Sequence, residues 1–110
     1  MDKPEKVLFL VHKTDGSSVM AAFPHLNGTY NPTIMLSYEH VGQHGSVAMD
    51  YVSECRIASG EEAQDLKAEL ERLGYVLDVR TTTGIQDRRI REAKLKDHWQ
   101  KVTQTNPDAR

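Results

Sequence analysis

Apolar residues in this chain come mostly in short runs separated by turn-forming residues. Residues 6 to 12, KVLFLVH, form a compact apolar run containing β-branched residues, and residues 17 to 23, SSVMAAF, form a second, with Thr14-Asp15-Gly16 between them. Two strand-like runs joined by Asp-Gly predict a β-hairpin, because that pair supplies the positive φ angles a tight hairpin turn needs. Pro24 is expected to end the second strand, since proline has no N–H to give to a ladder. HLNGTYNP (25 to 32) then reads as loop, and TIMLSY (33 to 38) as a third strand. SVAMDYVSECRI (46 to 57) alternates, with Val47, Met49 and Tyr51 on one face, and predicts a fourth.

The pattern then changes period. Ser59 and Glu62 form an S-x-x-E capping box, and Glu61 and Glu62 occupy the first turn, where the helix dipole favours acids. Ala63, Leu66, Leu70 and Leu73 make one apolar stripe, and Gly74 stands where a left-handed C-cap belongs. YVLDV (75 to 79) alternates again and predicts a fifth strand. The expected fold is α+β: a small, mostly antiparallel sheet of about five strands, one amphipathic helix packed on one face, and a C-terminal helical extension.

Charge divides the chain. Residues 1 to 80 carry seven Lys and Arg against twelve Asp and Glu, whereas residues 81 to 110 carry seven against four. Residues 1 to 80 are therefore read as the domain, and 81 to 110 as a basic, helical extension with a frayed end, entered through Thr81-Thr82-Thr83-Gly84. In the extension Ile85, Leu95, Trp99 and Val102 share a helix face, which suggests docking through Leu95 and Trp99 on the domain or on a second copy of the chain. Arg88, Arg89, Arg91, Lys94, Lys96 and Lys101 are spread around the circumference among acids, so no cationic stripe exists to follow a phosphate backbone.

The length of 110 residues and 38% hydrophobic content are those of one ordinary globular domain. No apolar run approaches the roughly 20 residues of a membrane span, and the N-terminus has no signal-peptide core. A single cysteine, Cys55, excludes an internal disulfide. A cytoplasmic protein with no cofactor is the expectation.

Candidate chemistry concentrates in SYEHVGQHG (37 to 45). His40 and His44 are spaced for a shared metal on a helix, but Gly42 and Gly45 disfavour one, and on a strand rising about 3.3 Å per residue the two rings lie too far apart. Zinc also needs three or four ligands. Alternatively His40 or His44 serves as general base beside Ser37, Tyr38 or Cys55, although no G-x-S-x-G, H-E-x-x-H or P-loop pattern accompanies them. A third reading packs Tyr38 and Val41, turns the chain at the glycines and uses the histidines and Gln43 to hydrogen-bond loop backbone.

Tyr30-Asn31-Pro32, the 37 to 45 segment and residues 60 to 79 together resemble a family of short bacterial and phage-associated proteins without an established activity. These carry a Ser-Tyr-x-His-Val-Gly-Gln-His motif followed by a D-L-x-x-E-L-x-x-x-G-Y helix-strand element. The resemblance covers residues 6 to 80 and implies a single-domain α+β fold in phage or mobile-element company. It implies no catalytic residue. The functional expectation is a small non-enzymatic binding or accessory module that binds or inhibits a protein partner through the 25 to 45 loop surface, using Tyr38, His40, Gln43 and His44. The alternative is a metal-dependent or general-base hydrolase centred on His40 and His44.

Overall fold

The computed structural model describes residues 3–14, 18–39 and 43–105; the side chains of Gln43 and of residues 101–105 lie outside that description. The element order is β1 (Glu5–His12), β2 (Val19–Asn27), β3 (Ile34–Glu39), β4 (Gln43–Ala48), α1 (Met49–Val52), β5 (Cys55–Ile57), α2 (Gly60–Arg72), β6 (Leu77–Val79) and α3 (Ile85–Thr105). The strands form one sheet in the order β4-β3-β2-β1-β5, and β6 pairs with β1 in parallel. This is the expected α+β architecture. The Asp15-Gly16 turn lies outside the described residues, but the two strands flanking it pair antiparallel as a hairpin requires.

Both faces of β1 are buried, with Val7, Leu8, Phe9, Leu10 and Val11 all closed to solvent. Val7, Phe9 and Val11 point to one side, where they meet Ala21, Phe23 and Tyr38 from the sheet and Ala63, Leu66 and Leu70 from α2. Leu8 and Leu10 point to the other and pack with Ala22, Met35 and Val47, bordered by Met49 and Val52 of α1. The predicted helix is present with its capping box: the Ser59 hydroxyl accepts from the Glu62 N–H, and the Glu62 carboxylate accepts from the Ser59 N–H. Arg56 grips the same carboxylate with both Nη atoms, and with the Ser59 contact it pulls the Glu62 pKa down to about 2. Gly74 adopts φ +104°, the left-handed cap. Leu73 is an exception to the predicted stripe at 56% exposure, because the helix has already reached its C-cap there.

Three other expectations are corrected. Pro24 does not end β2, which runs on to Asn27. The β2–β3 register shifts between Phe23 and Asn27, and a residue without an N–H costs little at such an irregularity. Residues 46 to 57 are not one strand. β4 stops at Ala48 because its neighbour β3 begins at the paired Ile34; one helical turn then carries the chain to the far edge of β1, where β5 pairs. The fifth strand predicted over 75 to 79 is shorter, Leu77–Val79, and pairs in parallel with β1.

The C-terminal helix lies against β2. Trp99 sits over Tyr30 with ring centroids 5.6 Å apart, and Leu95 is half-buried. The tightest contacts, however, are polar. Arg91 is completely buried and donates from Nε to the Pro32 carbonyl (2.7 Å) and from Nη1 to the Pro24 carbonyl (2.6 Å). Asn27 donates to the Arg91 carbonyl, and Lys94 to that of His25. Asp87 caps the helix start, accepting from the Thr83 hydroxyl and the Gly84 N–H, while its other oxygen meets His25 Nε2 at 2.8 Å. Burial by itself would raise the Asp87 pKa; the Thr83, Gly84 and His25 contacts outweigh it and hold the carboxyl below its ordinary value.

Two outcomes follow from this packing. A Cβ on Gly28 would lie 2.4 Å from the Met35 carbonyl oxygen and 2.6 Å from Ser46 Cβ, so Gly28→Ala should destabilise the protein by about 1–3 kcal/mol in urea unfolding. A carboxyl with a lowered folded pKa stabilises fully above its unfolded pKa and loses that contribution as pH falls from there through the folded pKa. Asp87→Asn should therefore cost about 1–2 kcal/mol at pH 7 and progressively less as pH falls below the ordinary carboxylate range, read from thermal melts along that series.

Candidate functional site

The row of cross-strand partners Phe9, Ala21, Tyr38 and His44 runs across four strands on the α2 side of the sheet. Its interior members are buried, and its outer end, His44 on edge strand β4, is exposed. Tyr38 is a core residue whose hydroxyl donates to Glu69 Oε2 at 2.5 Å, tying β3 to α2. That hydrogen bond, with burial and the Glu69 charge behind it, raises the Tyr38 pKa and keeps the phenol neutral. The His44 ring packs edge-on against Tyr38 at 4.9 Å, and its Nε2 meets the Tyr75 hydroxyl at 2.8 Å. Tyr75 stacks on Phe23 at 5.2 Å, and burial pushes its pKa up, with the Glu5 charge adding to the effect.

The structure thus brings two of the four predicted site residues together, Tyr38 and His44, and adds Tyr75 and Glu69. Of the other two, His40 lies outside the described residues, and only the backbone of Gln43 is described, paired with Glu39. Tyr75 and Glu69 belong to the D-L-x-x-E-L-x-x-x-G-Y element, but nothing in their spacing shows which side of α2 faces the 37 to 45 hairpin. Among the described residues of the segment taken as a 25 to 45 loop surface, most are strand, with a turn at 28 to 33 between β2 and β3. Among the described residues, the His44 ring bonds a side chain, that of Tyr75, where one reading expected loop backbone.

The geometry gives little support to nucleophilic chemistry at this cluster. The Tyr38 hydroxyl is committed to Glu69, and Ser37 is buried. Among the described residues no three His, Cys, Asp or Glu side chains gather as metal ligands. Cys55 lies elsewhere, opposite His12 across the β1–β5 pair. His12 is engaged on both ring nitrogens, Nδ1 by Thr14 and Nε2 by Glu54, and its ring packs on Tyr51. The Cys55 thiol donates to the Tyr51 carbonyl, and burial first, then the Glu54 charge, push its pKa up, the reverse of what an activated cysteine needs. Cys55 should therefore react with a disulfide reagent more slowly than free cysteine at pH 7.5, as a stopped-flow comparison of the two thiolate release rates will show.

Fold and cluster together define an α+β protein that presents a fixed imidazole and phenol at the open edge of its sheet. In comparisons with known proteins, no family model, no curated protein and no solved structure matches the chain. Among the described residues no helix is long and apolar enough to cross a membrane.

Proposed function

We propose that the protein is a non-enzymatic binding module that engages a protein partner along β4 and the adjoining Tyr75 surface. The observation that carries this reading is the placement of His44: exposed on the outermost strand, yet held by the Tyr75 hydroxyl and the Tyr38 ring. A polar side chain held in place on a rigid scaffold loses little conformational freedom on binding. Leu73 and Val76, close to Tyr75 in the chain, are exposed apolar side chains. An edge strand also offers unpaired backbone groups to an extended segment of a partner, with alternate side chains giving specificity.

A nucleic-acid partner is less well supported. On α3, Arg91 is buried, Lys94 is spent on a backbone carbonyl, and Arg88 pairs with Glu92. The motif resemblance favours an accessory role in phage or mobile-element company. A hydrolase built on His40 and His44 is the weaker reading, because His44 Nε2 is already engaged by Tyr75.

Tyr38 is unsuitable for testing the surface, since its loss would disturb the core. His44→Ala combined with Val76→Asp alters two exposed positions and should leave a folded protein, its melting temperature lowered by several degrees through the lost Tyr38 and Tyr75 contacts, while reducing affinity capture of the partner by about tenfold or more. Undiminished capture by a folded double variant would remove β4 and its surroundings from consideration.

A further inference from the structure

A groove of about 480 Å³ separates α1 from the start of α3, lined by Thr33, Ala48, Met49, Asp50, Gly84, Ile85, Arg88 and Arg91. It is distinct from the His44 cluster and shares no residue with it. Much of its wall is apolar, from Ala48, Met49 and Ile85, and its charged members are Asp50, Arg88 and Arg91.

That guanidinium is unusual in what it lacks. Arg91 is 0% exposed; Nε and Nη1 have carbonyl partners, and Nη2 is buried with no hydrogen-bond partner. Asp87, one turn earlier on the helix, meets His25 through Oδ1 and Thr83 and Gly84 through Oδ2, and does not hydrogen-bond Nη2. Burial works against the charge on Arg91, with the Asp87 charge offsetting part of that effect. A buried cation left without a paired anion is costly, and a bidentate carboxylate is the group a guanidinium fork is shaped to receive. Arg88, half-exposed and three residues earlier on the helix, also lines the groove, its charge shared with its ion-pair partner Glu92.

We propose that this groove binds a small organic carboxylate with an apolar body, its carboxylate paired with Nη2 of Arg91 and its body against Met49 and Ile85. A monoanion is favoured over a phosphate dianion because Asp50 also lines the groove and repels the higher charge more strongly. The helix N-terminus contributes little, since Asp87 already caps it. Because Nη2 is closed to water, the ligand reaches it only as groove-lining side chains move aside, and the binding-competent form is a minor fraction of the unliganded protein. The site independently adds a small-molecule input to the binding module proposed above.

The test is a titration of the isotope-labelled full chain with sodium hexanoate, and separately with inorganic phosphate, each against sodium chloride at equal ionic strength, followed by nuclear magnetic resonance. The expected result is a saturable shift with hexanoate at the amides of Thr33, Ala48, Met49, Gly84 and Ile85 and at the Arg91 Nε–H. Arg88→Gln, at an exposed position, should weaken hexanoate binding by about two- to fivefold, the range of a solvent-exposed charge contact. Arg91→Lys keeps the charge and loses the fork; if it folds, binding should fall by at least about tenfold. Shifts that do not saturate, that chloride reproduces, or that phosphate produces in preference to hexanoate would overturn the proposal, as would unchanged affinity in folded Arg91→Lys. The wild-type titration alone decides the matter if that variant does not fold.

Discussion

The structure depends on the need to cover both faces and both edges of β1. Five consecutive buried side chains, Val7 to Val11, leave no solvent side to this strand, so each face requires a second layer. One comes from α2, whose fully buried Leu66 and Leu70 are worth roughly 1.5–3 kcal/mol each in removed apolar surface. On the other face, the single turn of α1 brings Met49 and Val52 against Leu8, Leu10 and their sheet neighbours Met35 and Val47. The edges follow the same logic: β2 pairs along one, and the other is divided between antiparallel β5, opposite Leu10 to His12, and parallel β6, opposite Glu5 to Val7. Two short strands separated by a whole helix are thereby brought to one edge.

The C-terminal helix is attached by a different kind of interaction. Its docking surface is mainly polar, with Arg91 reaching the carbonyls of Pro24 and Pro32 and Asp87 reaching His25. Hydrogen bonds of this kind have stricter geometry than apolar packing and fix the rotation of the helix about its axis. They also explain how β2 tolerates a proline: where the ladder is irregular, the Pro24 carbonyl turns to a guanidinium.

The His44 cluster inherits its rigidity from the core. Tyr38 belongs both to the buried row of the sheet and to the contact surface of His44, so the ring that fills the interior also positions the exposed imidazole. Tyr75 does the same from the other side, stacked on Phe23 and bonded outward to His44. Among the described residues, the arrangement orients these side chains without bringing a free nucleophile beside a base.

Local signals in the sequence determined the elements with the strongest short-range physics: the β1–β2 pairing, the Ser59–Glu62 capping box, the Leu66–Leu70 stripe and the Gly74 cap, each set by residues within a few positions of one another. The α+β class follows from their order. Tertiary structure decided whatever rests on distant partners. Alternation over residues 46 to 57 fits one strand, and only the end of β3 at Ile34 stops β4 at Ala48. Arg91 reads as one more surface cation until two carbonyls 59 and 67 positions away bury it. His44 and Tyr38 stood out by composition, whereas Tyr75 and Glu69, 31 residues further along, join them only because α2 folds back over the sheet. Hydrogen bonds between side chains so far apart leave no periodic trace in a sequence, because the chain's own geometry repeats over two to four residues and a fold-closing contact does not repeat at all.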